Sequence, residues 1–311
     1  MPVTLLTFTE FLEEYRHALK WLRGRDVRVD ATRLATYLAL IEAAQRAEVD
    51  GHQPVRHTPE LMNALIEAAE VIDIASLNIG YLTNTDATAK LLTISGGPEF
   101  MGQNGFDRTR DNAFELSTAA VLQEQDAFGG FSTTGGDLTI APELNPAECK
   151  RISSLQRLRD RLRDAREQLR AQVVGGSPAG VIVIDVTRPV THGHGYIEAP
   201  DDDAFMLLAE QRLSAYLRAR VMTPEIIRTV DYPEVLGLIA RCRSAGTSGS
   251  PYNIRRCVVW QACSIHPGGS ERDTQFREIA KYFGPGELRE GSRQDLIRAA
   301  ARVRVPPLRR H

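Results

Sequence analysis

Gly136-Asp137-Leu138-Thr139-Ile140 and Pro146-Ala147-Glu148-Cys149-Lys150-Arg151-Ile152 decide how this 311-residue chain reads. Both segments are short and rich in strand formers. Ala-Pro-Glu-Leu-Asn (141–145) joins them, so the pair predicts a hairpin. Side chains two apart on a strand share a face, which groups Glu148 with Lys150 and turns Cys149 the other way. Asp137 enters from the neighbouring strand, about 4.8 Å away, within reach of Glu148. Two carboxylates so placed repel, and a hard divalent cation bound by both removes that penalty. A water held on such an ion, with an ammonium beside it, suits phosphodiester hydrolysis. Taken alone, Glu-x-Lys reads as readily as an exposed cross-strand ion pair.

The flanks extend the pattern. A helix is expected from Asp107, as its cap, to Leu122, followed by a Gly-rich, turn-prone passage over Gln125–Gly136. Beyond the hairpin, Ser153 or Ser154 opens a long arginine-rich helix to about Val173. Gly180–Thr187 (GVIVIDVT) is a continuous apolar run, as in a strand buried on both faces. A helix over Ala204–Arg220 follows. Val235–Arg243 and Arg255–Ser264 then suggest a second hairpin, although the first of these also fits a helix. Upstream, Thr9–Leu22, Ala31–Val49 and Thr58–Ile74 carry helical periodicity, with Thr9, Asp30 and Thr58 as expected N-caps. Asp273–Tyr282 and Arg293–Arg304 read as C-terminal helices.

Net charge is only −2, yet it is uneven. Glu148–Arg170 holds eight basic against four acidic residues, and Gly291–His311 six arginines against Asp295 alone, so a local anionic partner is expected. Only Lys20, Lys90, Lys150 and Lys281 are lysine. The free N–H groups at the start of the arginine-rich helix, by Ser153 and Ser154, offer a phosphate site beside the hairpin. Four cysteines with no CxxC pair, no positively charged leader and no long apolar run point to a cytoplasmic protein without a membrane span. No phosphate-loop, dinucleotide, nucleophile-elbow or HExxH motif occurs. His192-Gly-His194 is a weaker alternative centre, for a transition metal.

The order of helix, Asp-bearing strand, Glu-x-Lys strand, basic helix and buried strand, over about Phe106–Thr187, resembles the PD-(D/E)XK nuclease superfamily. Gly136 stands where the motif often has proline. The resemblance implies an α/β fold with a restriction-endonuclease-like core, a mixed central sheet flanked by helices. It divides the chain into an N-terminal helical region (1–100), a nuclease-like domain (101–270) and C-terminal helices with a basic tail (271–311). It casts Asp137, Glu148 and Lys150 as the catalytic set and Glu115, on the preceding helix, as a further acid. Gln168 is the polar residue expected on the following helix. Mg²⁺, with Mn²⁺ as substitute, would be held by Asp137, Glu148, Glu115 and the Cys149 carbonyl, while Arg151, Ser153 and Ser154 would meet nucleic acid, DNA in preference to RNA. A role in restriction, anti-phage defence or repair is implied, with dimer or partner contacts through the helical regions. The alternative is a catalytically silent fold serving as a nucleic-acid-binding or assembly subunit.

Overall fold

The computed structural model describes residues 8–49, 58–78, 80, 82, 85–99, 107–132, 137–191 and 196–284. The hairpin forms as read: β2 (Leu138–Ile140) pairs antiparallel with β3 (Asn145–Arg151), Leu138 opposite Ala147. The Gly-rich passage before it is not all turn, because Phe128–Phe131 forms a further strand, β1, on the far side of β2. Its two glycines hid the strand. Adding a Cβ at Gly129 would bring it within 2.9 Å of Leu144 and Thr139, so the close strand contact requires glycine there.

β4 (Gly180–Asp185) runs parallel to β3, each residue from Val181 to Asp185 facing one from Ala147 to Arg151. Its side chains divide cleanly. Val181 and Val183 join the core with the N-terminal helices, whereas Ile182 and Ile184 join the core beneath the helices that follow β3. Both faces of β4 are therefore apolar and buried, which explains its unbroken hydrophobic run. The second expected hairpin also forms and is longer, β6 (Val235–Ser248) with β7 (Ser250–Ser264).

The sheet is open and mixed. One flank of β6 pairs with β7. Its other flank pairs first with β4, from Val235 to Arg241, and then with the short parallel β5 (Tyr196–Ala199), from Ala245 to Ser248. Among the described residues β4 pairs with β6 as far as Arg241 and β5 pairs with it from Ala245.

Helices α1 (Phe8–Arg23), α2 (Arg33–Val49), α3 (Pro59–Ala75), α4 (Thr85–Thr93) and α5 (Arg108–Glu124) belong to one face. They share a continuous core with β1–β4, β6 and β7, so the Gly-rich stretch near residue 100 does not separate two cores. Thr58 caps α3 and Asp107 caps α5 as expected. α2 starts at Arg33, later than Asp30 implied, and Thr9 lies inside α1. The opposite face carries α6 (Leu155–Val174), the one-turn α7 (Thr187–Thr191), α8 (Asp202–Tyr216) and α9 (Pro224–Val230). In α6, Leu158, Leu162, Ala165 and Leu169 form the buried stripe and its arginines surround that stripe. α10 (Glu271–Ala280) packs Phe276 over Gly237 of β6, where a Cβ would come within 2.4 Å of the ring. The basic tail, Arg293–Arg304 and His192–His194 lie outside the described residues. Among the described residues no helix is long and apolar enough to cross a membrane.

Candidate active site

Asp137 immediately precedes β2, and its Oδ2 accepts the backbone N–H of Cys149 at 2.7 Å. It is the Cys149 amide, on the neighbouring strand, that anchors this carboxylate. Lys150 Nζ lies 3.0 Å from Glu148 Oε2 and 3.3 Å from Asp137 Oδ2. Strand alternation therefore delivers Glu148 and Lys150 to the same side, with Asp137 between the two strands.

The following helix closes the site. Gln172 Nε2 donates to Glu148 Oε1 at 2.7 Å, and Gln172 is buried. Gln168, expected there, is only half-buried, one turn earlier on α6, and makes no hydrogen bond to these carboxylates among the described residues. The correction follows from helix geometry. Leu158, Leu162, Ala165 and Leu169 fix the inward face, and Gln172 lies three residues beyond Leu169, on that stripe, whereas Gln168 is rotated off it.

From the other face, α5 brings Glu115, which is buried, and α4 brings Lys90, whose Nζ lies 2.7 Å from both Glu115 Oε2 and Asp86 Oδ2. Lys90 joins this cluster although nothing in its local sequence pattern placed it there. Its signal was its type, since two of the four lysines in an arginine-rich chain stand here. Burial raises the Glu148 and Glu115 carboxyls, and the Asp137 charge raises both further. Burial alone would lower Lys150, but Asp137 and Glu148 outweigh it and hold the ammonium charged. The site is thus three carboxyls sharing two ammonium groups.

Oxygen donors of this kind suit a hard divalent cation. Among the described residues, however, no group of three carboxylate, imidazole or thiol side chains surrounds a single point. Lysines stand between them. Asp137 and Glu148 are the pair nearest to forming a ligand set.

Arg151, expected to meet nucleic acid, is engaged by buried acids. It projects to the opposite side of β3 from Lys150, where both Glu70 oxygens accept from it at 2.7 Å and Asp185 lies 3.3 Å away. Arg241, fully buried, joins the same acids, with Asp185 at 2.6 Å and Ser117 Oγ at 2.6 Å. This cluster ties α3 and α5 to the ends of β3 and β4 and to the middle of β6. Burial works against ionising Glu70 and Asp185, and the surrounding arginines reverse that, holding both below the usual carboxylate range. A strand-end arginine next to Glu-x-Lys reads as exposed only until its neighbours are known. Ser154 caps α6 without a side-chain hydrogen bond, and Ser153 is half-buried beside it.

Compared with models of protein families, with curated proteins and with solved structures, the chain matches none of them.

Proposed function

We propose that this protein is a Mg²⁺-dependent nuclease that hydrolyses phosphodiester bonds, in DNA rather than RNA, through a restriction-endonuclease-like core. The observation that carries the reading is Lys150 Nζ within hydrogen-bonding distance of both Asp137, just before β2, and Glu148 on β3. Asp137 and Glu148, with Glu115 and the Cys149 carbonyl, are the groups that would hold the ion. When bound, Mg²⁺ or Mn²⁺ supplies a water of lowered pKa and charge to offset that developing on the phosphoryl oxygens. Lys150 stays protonated beside these acids and orients toward an anionic oxygen as the carboxylates turn to other ligands. Gln172 holds Glu148 from behind, fixing which oxygen faces the site.

Purified protein should degrade DNA with Mg²⁺ or Mn²⁺, and Asp137→Asn and Lys150→Ala should each reduce cleavage at least about 10²-fold. Unchanged cleavage in both variants refutes the assignment.

A second reading has its own observation. Both lysines already pair with the acids, and among the described residues no three-ligand centre stands ready. On that reading the fold is catalytically silent and serves in nucleic-acid binding or assembly. Calorimetry with Mn²⁺ separates the two: binding that is lost in Glu148→Gln favours the nuclease, and no binding favours the silent fold.

A further inference from the structure

A cavity of about 50 Å³, rich in charged side chains, is lined by none of Asp137, Glu148, Lys150 or Glu115. It lies past the carboxyl ends of the parallel strands β3 and β4, where open α/β sheets bind ligands. The backbone N–H of Arg243, on β6, donates to Thr187 Oγ1 of α7 at 2.9 Å. The cavity is thus built between α3 and α5 on one side and α7 and the start of α6 on the other.

Positive charge there exceeds what the protein uses. Each carboxylate in the wall is already held by an arginine. The Arg157 and Arg188 side chains, also in the wall, make no ion pair or hydrogen bond among the described residues. Arg243 is 3% exposed, and although Nη2 reaches Asp73, its Nη1 and Nε have no partner. Burial disfavours the Arg188 cation, and the positive charges of Arg110 and Arg157 disfavour it further. The N-terminus of the 20-residue α6, uncapped by any side chain, opens beside Ser153 and adds free N–H donors and a positive dipole end.

We propose that this cavity binds a phosphate monoester dianion, gripped by Arg157, Arg188, Arg243 and the α6 N-terminus. Three guanidiniums and a helix end match a compact, doubly charged anion with three free oxygens better than a carboxylate. A compact group suits a cavity of about 50 Å³. An open groove of about 680 Å³ shares Ser153 and Arg188 with the cavity and continues past Tyr216, Arg212 and Arg220. The remainder of a nucleotide or strand would lie in it, so the phosphate belongs either to a free mononucleotide or to the end of a strand. Only the assignment to a strand end rests on the nuclease reading; anion binding does not.

Calorimetry on the full chain in EDTA, with inorganic phosphate, dAMP and one oligonucleotide carrying a 5′-phosphate, a 3′-phosphate or hydroxyl ends, tests the proposal. A phosphorylated ligand should bind at least roughly tenfold tighter than its unphosphorylated counterpart. Arg157→Ala/Arg188→Ala should lose that preference, and circular dichroism should show it folded, since neither side chain has a partner to lose. Asp137→Asn should keep the preference, which separates this site from the metal site. Preference for a phosphorylated oligonucleotide over dAMP identifies a strand end, and equal binding identifies the free nucleotide. Equal affinity for phosphorylated and hydroxyl ligands, or a preference unchanged in the double variant, overturns the proposal. Phosphate binding by a protein that cleaves nothing leaves this site standing and removes the nuclease reading.

Discussion

Glu148 shows how a residue acquires a function from its surroundings. On an exposed hairpin it would be an ordinary carboxylate. Buried against Gln172 and beside Asp137, it rises from its usual value near 4.5 to about 8. The folded state then holds a proton that the unfolded chain releases. The resulting stability is complete below about pH 4.5 and is lost as pH climbs through about 8. Metal-free protein should therefore melt at a higher temperature at pH 6 than at pH 8, and Glu148→Gln should flatten that slope. A slope in the variant equal to that of the parent would show that Glu148 is not its source. Lys90 belongs to the same scale. Lys90→Ala leaves Glu115 buried with no ammonium partner, so it should lower stability by about 1–3 kcal/mol in chemical denaturation.

Among the elements, β6 serves β4 and β5 in turn along one flank. That division depends on a close approach at Gly246, where a Cβ would fall 1.8 Å from the Ile197 carbonyl oxygen. Gly246→Ala should detach β5, seen as faster amide exchange at Tyr196–Ala199 with protection of β4 retained. Loss of protection across the whole sheet would instead make β5 integral to the core. The arginine cluster is a second device at this scale. Arg241 joins Glu70 of α3, Ser117 of α5 and Asp185 of β4, while its guanidinium lies 4.2 Å from the Phe114 ring centroid. Arg241→Leu leaves two buried acids with fewer partners and should cost about 3–5 kcal/mol.

For the whole molecule, the two layers meet through charge as well as apolar packing. Glu67, Glu70 and Asp185 are all held below the ordinary range: burial opposes their ionisation, and Arg110, Arg33, Arg151 and Arg241 prevail. Depressed carboxyls contribute stability that is present above their unfolded value and disappears as pH falls through the folded one. Acid unfolding should accordingly steepen below about pH 4, and Arg241→Leu should make that dependence shallower. Circular dichroism against pH checks both.

By itself the sequence determined the parts whose causes are local. Strand and helix patterns marked β2, β3, α3, α5 and α6, an unbroken apolar run marked β4, and strand alternation alone was enough to put Glu148 and Lys150 on one side. Caps at Thr58 and Asp107 needed only their own helices. Tertiary structure decided the rest. β1 carries two glycines whose room is set by Leu144 and Thr139, Gln172 replaces Gln168 because the packed stripe of α6 fixes its rotation, and Lys90 reaches Glu115 only across α4 and α5. Arg151 becomes a core ion because Glu70, 81 residues away, lies against it. Local pattern records which face a side chain takes; what waits on that face is set by contacts distant in the chain, and burial then determines the charge each group can hold.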